Sequence, residues 1–494
     1  MRLKNFTFVL FCVACLLASC ARNQGSTLNK RQLLRHYTLP EDSLKHQAVV
    51  FLLDNIGTHT SDIPVFTNRR TGKEVPVDLL SIENIAALLD TLWERNLEID
   101  FRTVPDISII DNDFLLRDIE HAFRLWNKYP WANNVPFDIF LDYLLPYKVF
   151  GEEPYDWRSF FAQKYAERVQ YLFDNLTSEQ LACFDEVFSR LLPRGAPDWF
   201  VYDNHPLRLS RHPGFRELIT LKSGDCTGLA YLNVMILRAL GVPATIDVVT
   251  SFGRRNGGHL SEMLWDDTQQ RFRTIRGSMF GAPAKVLRHT FRQQNKWSND
   301  IQPVVGNHPF FLDFLKNDHW KDVTHEHIAT ATVEYAWNFT TDFAYICTFR
   351  FRQWVPAFWG RVENGVARFE NMGTNMLYRI AVPAGDSVEL ISSIFHFDAE
   401  GNKTFFTPDF TNRIDMQLRA RPGDRFIGIG VSYSLYYYVG NGNWNLHQTQ
   451  QSEREHFIFF EGVPANTLYI LQDDERDGRA ERIFTFENGR QVWW

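Results

Sequence analysis

Apolar side chains recur at helical spacing through residues 46–199. In the stretch 113–127 they stand every three or four positions, as the buried face of an amphipathic helix requires. The same spacing recurs in the stretches 137–145, 157–175 and 178–192. The pattern predicts a helical region over 46–199, and the polar residues 20–45 before it predict a tether.

Residues 200–318 combine helix and strand patterns. Residues 225–240 are nearly all apolar, which indicates a buried helix, and Gly241 followed by Pro243 is a typical helix stop. Strand patterns follow at 244–250, 259–265 and 271–275, the last two flanking a polar turn. We therefore expect a mixed core domain here.

Residues 319–494 show short strand patterns separated by turns that contain Gly and Asn. The predicted strands are 330–337, 343–351, 367–369, 377–382, 387–397 and 482–486. Regular spacing of short strands is typical of β-sandwiches, so one or two of them are predicted. The fold class expected for the whole chain is α+β.

The composition limits the classes of protein to which the chain can belong. It has 494 residues, of which 45% are hydrophobic and 22% charged, and this apolar content excludes a disordered chain. The formal net charge is -7 and no long basic run occurs, which excludes a nucleic-acid-binding protein.

The first twenty residues have the pattern of an export signal. Arg2 and Lys4 precede an apolar run, 6–17, that is too short to span a bilayer. The sequence LASC that follows resembles a bacterial lipobox. We therefore expect a signal peptide over 1–19, lipidation at Cys20 and a location in the cell envelope. An ordinary signal peptide with a chance cysteine is the alternative.

One cysteine and one histidine stand where a catalytic pair is expected. Cys226 lies in the first turn of the predicted buried helix, where N–H groups and the helix dipole stabilise a thiolate or an oxyanion. His259 follows two glycines and opens the next predicted strand, so its imidazole could activate the thiol. An inert thiol in the core is the alternative for Cys226.

The sequence around this pair resembles the transglutaminase-like superfamily, whose core is papain-like. GDCTGLAYLNVMILRALGVPATID resembles the nucleophile helix and the next strand, and GGHLSEMLW resembles the histidine strand. A wider likeness, in PYKVFGEEPYDWR, AKVLRHTFRQQ and RIFTFENGRQVWW, is to lipid-anchored transglutaminase-like proteins of Bacteroidetes. The resemblance implies a helical N-terminal region, a transglutaminase-like core over 200–318 and a β-sandwich region over 319–494.

The resemblance also implies an activity. Cys226 would attack an amide carbonyl of a peptide or glycopeptide, with His259 as base and then acid, in a hydrolase or acyltransferase without a cofactor. The residues after Cys20 carry no acidic side chain, unlike the signal for surface export in Bacteroidetes lipoproteins. We therefore favour the periplasmic face of the outer membrane over the cell surface.

The superfamily usually has an Asp that orients the histidine, and this chain departs from that pattern. Matching the strand after His259 puts Arg276 in the position of the Asp, and a guanidinium only donates hydrogen bonds. Asp247, on the preceding strand, is the best remaining carboxylate, and Ser278 is a weaker alternative. The departure favours a second hypothesis, a catalytically degenerate protein that binds a glycan or peptide. A purely structural envelope role is the third.

Other clusters suggest binding less strongly. Tyr437 and Trp444, on a turn-rich β edge, are candidates for stacking on sugar rings. The acids that follow Asp473 lack the final Glu of an EF-hand loop, so they predict an acidic turn. His325 and His327 lack a third ligand, so we interpret them as surface or strand residues and predict no metal site.

Overall fold

The computed structural model of the protein describes residues 28–275, 282–294, 318–385, 387–421, 427–473 and 481–494. Cys20, Arg276 and Ser278 lie outside the described residues, as do the acidic residues at 475 and 477. Helices and strands are mixed along the chain, which confirms the α+β fold class. None of the described helices is long and apolar enough to cross a membrane.

Helices dominate the first part of the chain. They are α1 (Lys30–Leu34), α2 (Ser43–Asn55), α3 (Ile85–Glu94), α4 (Asn112–Leu125), α5 (Phe137–Tyr143), α6 (Trp157–Lys164), α7 (Ala166–Asn175), α8 (Ser178–Leu181) and α9 (Phe184–Leu191). Their inner faces supply a core that includes Leu52, Leu115 and Trp157. The segment 20–45 was predicted as a tether, but it already contains α1 and the start of α2.

A two-stranded sheet interrupts these helices. β1 (Thr60–Asn68) pairs antiparallel with β2 (Leu97–Pro105) over its whole length, and α3 packs beside the pair. The prediction that 46–199 is entirely helical was therefore wrong. Residues 97–105 alternate apolar and polar side chains for much of their length, which is the period of a strand rather than of a helix.

The central part of the chain places a buried helix on an antiparallel sheet. The helices are α10 (Phe215–Leu221) and α11 (Cys226–Ala239), and a short parallel pair joins β3 (Val201–Tyr202) to β4 (Ser223–Gly224). The sheet has the order β7 (Arg271–Arg273), β6 (His259–Asp266), β5 (Ala244–Val249), β8 (Val286–His289) and β9 (Trp320–Asp322). The predicted helix, its end near Gly241 and the hairpin of β6 with β7 are confirmed.

The last part of the chain is β-rich, as predicted. After α12 (Thr324–His327), one sheet contains β10 (Thr330–Ala336), β11 (Phe343–Arg350), β12 (Gln353–Glu363), β13 (Val366–Gly373), β14 (Met376–Ala384), β15 (Ser387–Leu390), β16 (Phe395–Phe397) and β17 (Lys403–Phe405). The remaining strands are β18 (Asp409–Arg419), β19 (Ser432–Gly440), β20 (Asn443–Gln451), β21 (Phe457–Ala465), β22 (Tyr469–Asp473), β23 (Phe484–Glu487) and β24 (Arg490–Trp493). The predicted strand at 387–397 is divided into β15 and β16, which both pair with β14.

Candidate active site

Asp225 caps the helix that begins at Cys226. Its backbone is extended, and its Oδ1 accepts the N–H groups of Thr227 at 2.9 Å and of Gly228 at 3.3 Å. Asp is a preferred residue at this position because its carboxylate satisfies donors that have no partner within the helix. Its other carboxylate oxygen forms an ion pair with Arg208. A charged pair therefore stands directly beside the cysteine.

The sulfur of Cys226 lies next to β6, the strand that begins with His259. The Cys226 side chain is partly buried, and the backbone N–H of Leu260 acts on its sulfur and lowers the pKa of the thiol. His259 is also partly buried; it is the first residue of β6 and pairs with Val249 of β5. The structure therefore brings the first turn of α11 to the end of β6 at which His259 lies.

The surroundings of Cys226 oppose ionisation of its thiol. Burial raises the pKa of the thiol above its usual value and the negative charge of Asp225 raises it further, whereas the N–H of Leu260 and the contacts of Thr227 lower it. The expectation that the helix start favours a thiolate was therefore wrong in direction. Asp225 occupies two of the N–H groups that would stabilise an anion there, and it adds a negative charge beside the sulfur.

The register of the sheet shows which residues share a face with His259. Leu260 pairs with Val248, so their side chains lie on one face of the sheet. His259 pairs with Val249, whose side chain packs in a separate cluster formed with Phe252, Val286 and Val323. Leu260 and His259 therefore lie on opposite faces of β6, and His259 shares its face with Asp247.

Asp247 is fully buried in β5, where other groups already engage its carboxylate. Arg288 donates to its two oxygens from Nε and Nη2, each at 2.8 Å, and His327 Nε2 lies 2.8 Å from Oδ2. Burial alone would raise the pKa of Asp247, but the charge and hydrogen bonds of Arg288 and the contact with His327 hold it below its usual value. Asp247 therefore serves as the partner of an arginine and of a histidine that the sequence did not connect with it.

His327 corrects one interpretation of the sequence. We expected a surface or strand residue, but His327 closes the short helix α12 and its side chain is only 11% exposed. Its neighbour Glu326 accepts from Arg288 Nη1 at 2.8 Å, so α12 is bound to the central sheet by charge. Sequence spacing could not reveal this contact, because Asp247 and His327 are 80 residues apart.

The two aromatic candidates for sugar binding lie on opposite faces of their sheet. Trp444 pairs with Tyr438, whereas Tyr437 pairs with the next residue of β20. Tyr437 packs toward the cluster that contains Tyr469, and Trp444 packs toward the one that contains Trp494. Tyr437 and Trp444 therefore do not form one stacking surface.

Three buried histidines form a group that the sequence analysis missed. The ring centroids of His59 and His319 are 4.0 Å apart, and the ring of His289 lies 6.4 Å from the first and 6.2 Å from the second. Burial is the main cause that lowers their pKa values, to about 4 for His319 and well below the usual value for the other two. These imidazoles are therefore neutral at pH 7. Among the described residues, no group of three or more His, Cys, Asp or Glu is arranged to hold a metal ion.

Comparison with known proteins adds little to this geometry. No protein-family model matches the chain, and no curated protein does. Among solved structures, the crystal structure of red sea bream transglutaminase aligns with 92% of this chain and 80% of its own, at 9% sequence identity and a TM-score of 0.19. A structural similarity at this TM-score supports no conclusion about the activity of this chain.

Proposed function

We propose that the chain is an envelope-anchored, transglutaminase-like cysteine hydrolase or acyltransferase that acts on amide bonds of peptides or glycopeptides. The observation that supports this proposal is that the backbone N–H of Leu260 acts on the sulfur of Cys226 and lowers the pKa of the thiol. This interaction joins the first turn of a buried helix to the strand end at which His259 lies. A cysteine at a helix start beside a histidine is the usual arrangement of an activated thiol.

The proposed reaction has two steps. His259 accepts the proton of the Cys226 thiol, the thiolate attacks the amide carbonyl, and the C–N bond breaks as His259 returns the proton to the leaving amine. Water then attacks the thioester as His259 accepts its proton, the C–S bond breaks, and His259 returns the proton to the sulfur, so that a carboxylic acid and the free thiol are formed. An amine in place of water would give a new amide, and we favour water as the acceptor.

Asp247 has an indirect role in this proposal. The pairs Val249–His259 and Asp247–Ser261 make Asp247 the diagonal neighbour of His259 on one face of the sheet, a separation of roughly 7–8 Å. Because Arg288 and His327 already engage it, Asp247 would act as a positioning residue and not as the direct acceptor of the His259 N–H.

The second candidate function is binding of a glycan or peptide by a catalytically inactive core. Two observations favour it. The pKa of the Cys226 thiol is raised rather than lowered, and Asp247 is already engaged by Arg288 and His327. In this case the surface at the start of α11 would hold its ligand without forming a covalent bond.

Intact-mass spectrometry with substrate libraries distinguishes the two candidates. The chain would be incubated with peptide and glycopeptide amides that carry a fluorogenic leaving amine. The catalytic proposal predicts release of the amine and a transient acyl adduct on Cys226, both lost in Cys226→Ala. Cys183→Ala removes an exposed thiol and is the matched control, which should keep full activity. Full turnover by Cys226→Ala would contradict the proposal.

A further inference from the structure

The helix α3 exposes an apolar stripe that its own packing does not require. Ile85, Leu89 and Trp93 stand four residues apart, on one face of the helix, and are 37%, 50% and 86% exposed. The inner face of α3 is already occupied, because Leu88 is fully buried and Leu92 packs against the same small cluster. An amphipathic helix at a protein surface normally presents polar side chains outward, so the outer stripe of α3 lacks an explanation in the fold.

Cationic side chains surround the exposed end of this stripe. Arg69, Arg70 and Lys73 belong to the segment that follows β1, and Arg95 follows α3; all four are exposed. In the described part of the chain none of the four forms an ion pair, although the nearby Arg102 is paired with Glu74. These basic groups stand out in a chain whose net charge is -7.

An open groove joins the apolar and the cationic groups. Its volume is about 760 Å³, and its lining includes Arg69, Arg70, Leu89, Trp93 and Arg95. Two acidic residues, at positions 94 and 98, also line it. The lining therefore carries three positive and two negative charges, so the groove is weakly positive.

We propose that this surface, formed by α3 and the adjacent end of the β1–β2 sheet at Asn68 and Leu97, docks on an anionic phospholipid bilayer. Tryptophan and leucine insert at the boundary between lipid headgroups and acyl chains, and arginine and lysine bind the anionic headgroups. A stripe of three apolar side chains is small for a specific protein–protein interface, which buries about 800 Å² on each partner. A bilayer needs only a shallow surface of this kind.

This inference rests on the envelope location within the proposed function. The nine residues from Cys20 to Asn29 span at most about 30 Å when extended, so a lipid on Cys20 would hold the described chain close to a membrane.

Vesicle flotation tests the surface independently of the lipid and of any catalysis. The chain from residue 20 onward, with Cys20→Ser, would be mixed with vesicles of phosphatidylcholine containing phosphatidylglycerol, and with vesicles of phosphatidylcholine alone. We expect binding to the anionic vesicles that weakens as salt is added. The double substitution Leu89→Ser with Trp93→Ser should abolish it. Arg69→Gln with Arg70→Gln should weaken it by roughly fivefold for each charge removed.

Matched substitutions in the C-terminal part of the chain serve as controls. Arg419→Gln with Arg490→Gln removes two exposed charges, and Ile429→Ser removes a side chain that is 67% exposed; neither should change binding. All altered side chains are exposed, and near-ultraviolet circular dichroism would verify the fold. Absence of vesicle binding, or equal binding by the Trp93 variant, would overturn the inference. Dimerisation of the chain that is lost in the Trp93 variant would also overturn the inference, because the surface would then bind protein. None of these outcomes depends on reactivity of Cys226.

Discussion

Asp247 Oδ2 and His327 Nε2 lie 2.8 Å apart, although 80 residues separate them in the chain. Asp247 belongs to the central sheet, whereas His327 closes the helix that leads into the β-rich part of the chain. Arg288 donates two hydrogen bonds to the same carboxylate. The contact therefore joins two parts of the fold through a buried charge that is compensated on both sides.

Removal of Arg288 should destabilise the protein strongly. Arg288→Met leaves the buried carboxylate of Asp247 without its main counter-charge, and loss of one partner from a buried ion pair costs about 3–5 kcal/mol of unfolding free energy. Urea unfolding would measure this cost. The control is Arg368→Met, which breaks a half-exposed pair with Glu334 and should cost at most about 1 kcal/mol. Equal losses in the two variants would contradict the account.

The charge of Asp225 should suppress the reactivity of Cys226. Asp225→Asn keeps an effective helix cap but removes the negative charge beside the sulfur, so the thiol pKa should fall and alkylation near neutral pH should accelerate. Arg208→Gln removes the partner of Asp225 and should have the opposite effect. The rate of alkylation of Cys226 against pH would measure both. Changes of the same sign in the two variants would refute the assignment.

The group formed by His59, His289 and His319 should make the fold sensitive to acid. Each imidazole has a lowered pKa in the folded state, so below about pH 6.5 the unfolded chain binds protons that the folded chain does not. The contribution of these histidines to stability is therefore constant above that pH and falls as the pH decreases, by about 1.4 kcal/mol per pH unit for each fully linked histidine. Urea unfolding between pH 7.5 and pH 5 would measure this slope.

One variant isolates the histidine contribution from that of carboxyl groups. Burial raises the pKa of Glu217 to about 7, so Glu217 acts in the opposite direction over part of this range. His289→Phe should reduce the slope of stability against pH, whereas His205→Gln, at an exposed position, should leave it unchanged. An unchanged slope in His289→Phe would exclude the buried group as its source.

Local patterns predicted the elements of the site well. The apolar run 225–240 became α11, and the β-branched run after Pro243 became β5, because burial dictates residue type along a single element. The β1–β2 pair was missed even though residues 97–105 carry an alternating pattern, since the helical periodicity of their neighbours dominated the interpretation. The sequence also contained a signal for the capping role of Asp225, because Asp directly before a helix is a common N-cap.

Contacts between distant segments could not be predicted. The bond between Asp247 and His327, and the group of His59 with His289 and His319, depend on how separate elements pack, which residue spacing does not encode. The pKa of the Cys226 thiol likewise depends on packing that residue spacing does not encode. Helix position alone favours a thiolate, and only the burial of Cys226 and the charge of Asp225 show that the environment opposes it.

The pH dependence of Cys226 alkylation, with and without His259→Ala, tests the central claim most directly. It would be measured in a Cys183→Ser background, because Cys183 is exposed, whereas Cys347 is buried and should not react in the folded chain. If Cys226 and His259 form a pair, loss of the imidazole should raise the apparent pKa of the thiol and slow its alkylation near neutral pH. A profile that His259→Ala leaves unchanged would contradict the catalytic account and favour a surface that only binds its ligand.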